Sequence, residues 1–285
     1  LMATGLLALA FCPKPSLYGD ATFSASVLDR DGRLLRLALA DDDRYRLRIS
    51  LADISPTAIE ATLLYEDRHF YEHPGFNPGS LIRAFWSTYV RKDRPIGAST
   101  ITMQLARIRF DLDTRNIAGK LSQIVRAIQL ERHYDKAEIL GAYLNLAPYG
   151  GNIEGIGTAS LVYFDRPAAE LSMPEALALA VIPQNPVRRD PSTEAGYKQM
   201  AEARSRLLEM WADASSLDEE SRAQFDLPLA IRTTSELPFR APHFSQSILA
   251  RTGDQQGAIT TTLDLSRQSI LERQIDRYVD RGRSR

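Results

Sequence analysis

The chain has 285 residues, of which 44% are hydrophobic and 25% charged, so it has the composition of a folded protein with one large domain or two modest ones. Its formal net charge of -1 excludes the global positive field that draws proteins onto nucleic acid, and we expect no nucleic-acid partner. A single cysteine, Cys12, excludes an internal disulfide framework and a zinc site built from several thiolates.

The first residues are uncharged and mostly apolar as far as Phe11, whereas a helix needs about 20 such residues to cross a bilayer. We interpret residues 1–12 as the remnant of an N-terminal membrane anchor, because the chain opens on Leu1 within an apolar stretch. The apolar region of a cleaved signal peptide is the alternative, and a lipoprotein site at Cys12 is disfavoured because bulky Phe11 precedes it. Each interpretation places the rest of the chain outside the cytoplasm.

The segment 22–49 carries the pattern of strands. Two apolar runs, 23–28 and 34–39, flank Asp29 to Gly32, and Asp-Gly is a strong hairpin turn. We therefore expect a short β-hairpin linker over residues 22–49.

Helical patterns begin at Asp53. Ser55 as N-cap and Pro56 at the first helical position predict a helix that ends near residues 73–75. Another helix is predicted to run to about Tyr134, and the next to cover 137–146 from a start at Asp135. Four apolar residues at helical spacing are predicted to form the buried face of the helix ending near Tyr134: Leu121, Ile124, Val125 and Ile128.

Ser172 and Glu175 form a capping-box pattern before an apolar run to Ile182, which predicts a helix central to the core. After Pro183 the composition shifts to proline and charge, and we interpret residues 193–242 as a linker with a polar helix over 194–212. The segment 243–285 is predicted to contain a strand at 258–263 and a following helix, too little to fold alone.

Three segments place polar residues in otherwise apolar surroundings, and each has an ordinary structural explanation. Residues 66–75 could be a solvated charged helix end, and residues 97–104 a helix start capped by Ser or Thr. Lys120 in the third segment, 120–123 with 143–145 downstream, could be a solvated charge.

The same segments also allow functional interpretations. The adjacent carboxylates Glu66 and Asp67 suit a general base whose pKa is shifted by its neighbours. A metal site of Glu66, His69 and His73 is disfavoured, since the zinc-protease pattern needs a Glu between two histidines at i and i+4. Small residues and N–H groups after Gly97 would offer phosphate a place at a helix N-terminus.

Together, and in this order, the segments resemble the peptidoglycan glycosyltransferase domain of bifunctional penicillin-binding proteins over residues 53–192. The signatures of that family read E-D-x-x-F-x-x-H-x-G, G-x-S-T-I-T-Q-Q, R-K-x-x-E and a helix with Y-L-N. The chain matches them with Glu66, Asp67, Phe70, His73 and Gly75, then Gly97, Ser99, Thr100, Ile101, Thr102 and Gln104, then Lys120, then Tyr143, Leu144 and Asn145.

Three positions depart from the signatures. Met103 stands where the family has its first Gln, Gly119 where it has Arg, and Gln123 where it has a second acid. Gln at position 123, with the segments 145–151 and 182–186 that follow it, is similar to the penicillin-binding protein 1C subgroup.

The resemblance implies a mainly α fold: a lysozyme-like helical glycosyltransferase domain over 53–192, a short N-terminal β-hairpin, and a small truncated C-terminal α/β piece that enters a transpeptidase domain. It implies polymerisation of lipid II into glycan strands at the outer, periplasmic face of the cytoplasmic membrane, to which an N-terminal helix would attach the chain. It also implies a divalent metal, Mg²⁺ or Mn²⁺.

The resemblance assigns three residues to the catalytic centre. Glu66 is expected to be the base, while Asp67 and Gln123 are expected to orient the site. Lys120 and Arg107 are expected to meet the charge of the departing pyrophosphate. The full set of expected substrate-binding residues is Phe70, His73, Gly75, Gly97, Ser99, Thr100, Gln104, Arg107, Lys120, Tyr143 and Asn145.

Two other functions remain open at this point. The loss of the second acid at Gln123 is compatible with a degenerate domain that binds glycan or partner enzymes without polymerising. A hydrolase of the lysozyme type is disfavoured, because it needs a general acid for a sugar leaving group and the matching motifs are those of the transferase.

Overall fold

Helices make up most of the secondary structure in the computed structural model, which describes residues 13–79, 99–214, 225, 227–253 and 256–283. The prediction of a mainly α fold is confirmed. The expected anchor residues 1–12 and Gly97 lie outside the described residues. Within the described residues, no helix combines the length and the apolar character needed to cross a membrane.

The described elements are short strands and longer helices. In chain order they are β1 (Ala25–Leu28), β2 (Leu34–Leu37), β3 (Tyr45–Arg46), α1 (Pro56–Glu66), α2 (Ile101–Arg109), α3 (Ile117–His133), α4 (Lys136–Leu146), β4 (Ile153–Glu154), α5 (Ile156–Phe164), α6 (Met173–Val181), α7 (Glu194–Ala214), α8 (Pro242–Thr252), β5 (Gly257–Thr260) and α9 (Leu265–Arg283). Short 3-10 helices occur at Leu51–Asp53, Ala168–Glu170 and Thr234–Glu236.

The chain divides into two compact units. The larger contains Ile49–Arg232 with the described residues before Thr22, and the smaller contains Thr22–Arg48 with Thr233–Arg285. Within the larger unit, α7 packs on α6 and α1. The segment 22–48 belongs to a unit with residues from the other end of the chain.

The core of the larger unit is centred on α6, which is buried from Pro174 to Val181. A helix that is apolar on every side is stable only when other elements surround it, and α1, α5 and α7 all pack on α6. The capping box of Ser172 and Glu175 is present, so the predicted start and the central position of this helix are confirmed.

Helix α1 ends at Glu66, earlier than the predicted end near residues 73–75, so that prediction is wrong. Asp67 leaves helical geometry because its carboxylate accepts a hydrogen bond from the N–H of Ile101 (2.9 Å) and contacts His73. The early end places Glu66 at the exit of a helix, with Asp67 turned toward α2.

The predicted buried face of α3 is also wrong. Leu121 is 59% and Val125 46% exposed, whereas Gln123 is only 2% exposed. Helix α3 turns this polar residue inward because its amide donates a hydrogen bond to the carbonyl of Met103 on α2. A specific polar contact has overridden the apolar period.

The smaller unit is built on a three-stranded sheet in the order β2-β1-β5. Strands β1 and β2 are antiparallel, with Ser26 opposite Leu37, as the hairpin pattern predicts. Strand β5 pairs in parallel with β1, with Val27 beside Ile259. Three buried residues form the core of this sheet: Val27, Leu35 and Leu265.

Candidate active site

A pocket of about 260 Å³ in the larger unit collects most of the polar residues that the motifs predict. Its lining consists of Tyr65, Glu66, Ser99, Gln104, Arg107, Thr114, Lys120, Gln123, Pro183 and Gln184. A second pocket of about 220 Å³ shares Tyr65, Glu66 and Ser99 with the first and also includes Asp67 and Thr100. The Glu66 side chain therefore borders two pockets.

The Glu66 carboxylate has one restrained and one available oxygen. Oε2 accepts a hydrogen bond of 2.6 Å from Nε2 of Gln104. Oε1 is buried and has no hydrogen-bond partner among the described residues. Burial raises the pKa of Glu66, against the hydrogen bond from Gln104 and the positive charges of Arg189 and Arg107, which lower it. A carboxylate in this state can accept a proton at Oε1.

The orientation of the Gln104 side chain is fixed by Tyr143. Its Oε1 accepts a hydrogen bond of 3.3 Å from the hydroxyl of Tyr143, which is fully buried. The amide nitrogen of Gln104 must therefore point toward Glu66. Tyr143 acts on the site through Gln104 and does not line either pocket.

Asp67 joins the first motif to the second. Its carboxylate contacts Nε2 of His73 at 2.9 Å and accepts the N–H of Ile101, the first residue of α2. Nδ1 of His73 accepts the N–H of Gly75 (3.2 Å), so the hydrogen-bond pattern assigns the neutral tautomer with the proton on Nε2. Both partners are buried, and this arrangement fixes the segment after Glu66 against α2.

Thr100 completes this junction. Its hydroxyl donates to the carbonyl of Gly75 (2.6 Å) and accepts the N–H of Met103, which makes it the N-cap of α2. The N–H groups at the start of α2 are thus already bonded to Asp67 and Thr100. A phosphate site at this helix start, which the sequence allows as one interpretation, is therefore not formed by these two N–H groups.

Positive charge is supplied by Lys120 and Arg107, which both line the first pocket. Nζ of Lys120 donates to Oγ of Ser99 and to Oε1 of Gln123, each at 2.8 Å. Burial, and then the nearby charge of Arg107, lower the pKa of Lys120. The two cations face a pocket whose lining contains one carboxylate, Glu66.

Several predicted substrate-binding residues lie behind the pockets. Phe70 is 1% exposed and packs edge-on against His73, with Nζ of Lys136 4.5 Å from its ring centre. Gly75, at φ +91°, lies against α3, where an added Cβ would meet the carbonyl oxygen of Ala127 at 3.0 Å. Phe70, Gly75 and His73 therefore belong to the buried packing next to the pockets and line neither of them.

Asn145 is not brought to the pocket. Its amide oxygen accepts the N–H of Ile49 (2.9 Å), and its amide nitrogen donates to the carbonyls of Ile49 and Gly141. Both polar atoms of the Asn145 amide are therefore used within the larger unit, where they fix the backbone of Ile49 to α4.

The metal site of Glu66, His69 and His73, which the sequence disfavours, is not formed among the described residues. His69 is exposed and contacts Glu72 at 2.8 Å, while His73 is buried on Asp67. No group of three His, Cys, Asp or Glu residues in the described part of the chain could hold a metal ion. Mg²⁺ and Mn²⁺ prefer oxygen ligands that include carboxylates, and the lining of the first pocket offers one carboxylate for that purpose, Glu66.

The sequence interpretation missed one wall of the pocket. Tyr65 donates from its hydroxyl to Oε1 of Gln184 (3.0 Å), and Arg189 donates to both, at 2.9 Å each. Arg189 also donates to the carbonyl of Val181 at the end of α6. The available signal was the segment Ile182 to Pro186, which we noted as part of the resemblance without assigning it a role.

Comparison with known proteins agrees with the motifs. Residues 31–211, more than half of the chain, match the sequence model of a family described as Transglycosylase. Penicillin-binding protein 1C of Escherichia coli (strain K12) is 39% identical over 248 residues, which cover 86% of this chain and 31% of that protein. The predicted likeness to the 1C subgroup is thereby confirmed.

Two further relatives differ in size. Penicillin-binding protein 4 of Bacillus subtilis (strain 168) is 35% identical over 192 residues, covering 67% of this chain and 30% of that protein. A biosynthetic peptidoglycan transglycosylase of Salmonella schwarzengrund (strain CVM19633) is 36% identical over 155 residues, covering 54% of this chain and 64% of that protein. The chain spans about a third of the length of the two penicillin-binding proteins.

Proposed function

This chain belongs to the transglycosylase family, and on that premise we propose that it is a peptidoglycan glycosyltransferase that polymerises lipid II into β-1,4-linked glycan strands. The observation that carries the proposal is the Glu66 carboxylate. It borders two pockets and has one oxygen held by Gln104 and the other buried without a partner among the described residues.

Glu66 is the general base of this reaction. The acceptor sugar's 4-hydroxyl is a poor nucleophile near neutral pH, so a carboxylate must take its proton as the oxygen attacks the donor's anomeric carbon. Oε1 of Glu66 receives that proton, while Gln104 holds Oε2 in place. The raised pKa of Glu66 makes its ionised form a stronger base than an exposed glutamate.

The leaving group departs toward the cations. As the new carbon–oxygen bond forms, the bond from the anomeric carbon to the phosphate oxygen breaks and its electron pair goes to undecaprenyl pyrophosphate. Lys120 and Arg107 line the pocket that contains Glu66 and would stabilise this negative charge. Attack opposite the leaving group inverts the anomeric centre, so an α-linked donor gives a β linkage.

The proposed setting follows from the substrate and from the relatives. Lipid II is anchored in a membrane, so the reaction takes place at a membrane surface, with the glycan strand as the other substrate. The family resemblance assigns it to the outer face of the cytoplasmic membrane. A transpeptidase domain in the full-length protein and an N-terminal membrane helix are part of the same proposal.

The test is incubation of the chain with labelled lipid II in detergent, followed by separation of polymer from precursor. We expect polymer from the wild type and a loss of roughly 10²–10⁴-fold in rate for Glu66→Gln, since an amide keeps the acceptor for Gln104 but not the basicity. Glu72→Gln is the matched control, because Glu72 is an exposed carboxylate of the same motif. Thermal melting should be nearly equal in all three proteins.

Two outcomes of the lipid II assay would contradict the proposal. If wild type leaves lipid II unchanged, and Gln123→Glu makes it active, the chain is a binding domain whose catalytic centre has degenerated. If Glu66→Gln keeps more than about a tenth of the wild-type rate, Glu66 is not the base.

A further inference from the structure

The part of the first pocket around Lys120, where the proposed leaving group would lie, differs from a metal site in the atoms that could act as metal ligands. A divalent cation there would need oxygen ligands, and the lining residues around Lys120 offer the hydroxyl of Ser99 and the amide oxygen of Gln123. Both of these oxygens already accept hydrogen bonds from Nζ of Lys120, at 2.8 Å each. The ammonium group of Lys120 thus lies between the two oxygens, of Ser99 and Gln123, that would otherwise be available as ligands of a metal ion.

Gln123 cannot readily turn to offer this oxygen to another cation. Its side chain is 2% exposed, and its amide nitrogen donates to the carbonyl of Met103 at 2.6 Å. Rotating the amide would bring two oxygens together at Met103, so the amide oxygen is held toward Lys120. A glutamate at this position would have no hydrogen to donate to Met103 and would pair its charge with Lys120.

The amide therefore leaves the charge of Lys120 without a carboxylate partner. An ammonium has three N–H donors, and two of them have the partners named above. The remaining donor is available to a ligand in the pocket that Lys120 lines, with the guanidinium of Arg107 in the same lining. A diphosphate fits this pair of cations by charge and by its number of acceptor oxygens.

We propose that Lys120 takes the place of a divalent metal in this chain, so that pyrophosphate binding and pyrophosphate release require no metal ion. This inference rests on the proposed function for the identity of the leaving group. It differs from the proposed function in its subject, which is whether Lys120 or a metal ion binds the diphosphate.

The direct test measures binding of inorganic pyrophosphate to the chain by calorimetry, once in excess EDTA and once with Mg²⁺. We expect binding in EDTA that is at least as tight as with Mg²⁺. Lys120→Met should weaken that binding by tenfold or more, whereas Lys198→Met, which removes an exposed lysine of α7, should leave it unchanged. Mn²⁺ alone, followed by electron paramagnetic resonance, should not bind in the pocket.

Gln123→Glu provides the second arm. It should weaken pyrophosphate binding in EDTA by about tenfold or more and make binding depend on Mg²⁺. Pyrophosphate binding that requires Mg²⁺ in the wild type, tight Mn²⁺ binding lost in Glu66→Gln, or no pyrophosphate binding in either buffer would overturn the inference. Thermal melts of each variant exclude loss of folding as the cause.

Lipid II separates the two proposals. Polymerisation by the wild type only when Mg²⁺ is present would overturn the metal-independent site and leave the glycosyltransferase proposal intact. Metal-free pyrophosphate binding through Lys120, without polymerisation of lipid II under any condition, would do the reverse.

Discussion

Burial, one hydrogen bond and three neighbouring charges together set the protonation of Glu66. Burial raises its pKa most, and the neighbouring carboxylate of Asp67 adds to that effect. The hydrogen bond from Gln104 and the guanidinium groups of Arg189 and Arg107 oppose it. The buried Tyr143 and Tyr149 have raised pKa values and stay neutral near Glu66. Arg189 is outside the pocket lining and donates hydrogen bonds to Tyr65 and Gln184, which belong to that lining.

Replacing Arg189 should therefore shift the pH dependence of the reaction. The proposed reaction uses the ionised form of Glu66, so we expect the rate to fall as the pH drops through the raised pKa. Arg189→Met removes a positive charge, raises the pKa of Glu66 further, and moves the acidic limb of kcat/KM to higher pH. The measurement is the pH profile of lipid II polymerisation, with less than about tenfold loss expected at the plateau.

Two variants control this pH prediction. Arg189→Lys keeps the charge and should restore much of the acidic limb. Arg188→Met removes an exposed neighbouring arginine and should leave the profile unchanged. An acidic limb that stays in place in Arg189→Met would show that Arg189 only holds Tyr65 and Gln184 in position.

The start of α3 explains one departure from the family signature. Gly119 stands where the signature has Arg, and an added Cβ at Gly119 would lie 1.8 Å from the carbonyl oxygen of Asp113. The turn before the helix is closed by Asn116, whose side chain accepts the N–H of Gly119 (2.8 Å). No side chain fits at residue 119 unless this turn moves.

Gly119→Ala should therefore disturb the pocket, because Thr114 and Lys120 on either side of the contact both line it. We expect a loss of about 1–3 kcal/mol in the free energy of unfolding, typical of overpacking, and at least a tenfold lower polymerisation rate. The matched control is Gly141→Ala on α4, where an added Cβ meets nothing within 4 Å. That variant should gain about 0.5–1 kcal/mol. Urea unfolding and the lipid II assay measure both effects, and equal stability of the two variants would contradict the close contact.

The sequence predicted elements better than it predicted their orientation. The capping boxes at Asp135 and Ser172 depend on residues three positions apart, so local pattern was enough to locate α4 and α6. The inward face of α3 depends on Gln123 meeting Met103 of another helix, which no local period encodes. The end of α1 was missed for the same reason, since Asp67 is held by the distant N–H of Ile101.

The same distinction applies to the site. Motif residues such as Glu66, Gln104 and Lys120 could be selected from the sequence because the resemblance selects residue types at fixed spacing. Which of them line the pocket could not be predicted, since Tyr143 and Asn145 share a motif yet bond to different parts of the larger unit. Arg189 was missed because its contacts join the ends of α1 and α6 through tertiary packing.

At the scale of the whole chain, the sequence makes a prediction about penicillin. A penicillin-reactive transpeptidase needs a Ser-x-x-Lys pair with a Lys-Thr-Gly partner, and neither pattern occurs in the 285 residues. We expect no acylation when this chain is incubated with labelled penicillin and examined by intact-mass measurement. A covalent adduct of one penicillin per chain would show that the assignment of residues 243–285 is mistaken.

The smaller unit joins two distant parts of the chain into one core. The N–H of Thr261 donates to the carbonyl of Leu28 (2.9 Å), and the N–H of Arg240 donates to the carbonyl of Leu35 (2.9 Å). Phe244 and Ile248 of α8 pack on the buried core of the sheet. Because a two-stranded hairpin is marginally stable by itself, β1 and β2 depend on these C-terminal partners.

Leu35→Ala should therefore loosen both parts together. Leu35 is fully buried, and such a truncation costs about 2–5 kcal/mol of the stability of its core. Hydrogen exchange should speed up at the amides of Thr261 and Arg240 as well as within β2, since one cooperative core protects all of them. Leu39→Ala is the control, because Leu39 is 44% exposed and its loss should change exchange little. If Leu35→Ala affects β2 alone and Thr261 keeps its protection, the two chain segments are stabilised separately and the unit is not a single core.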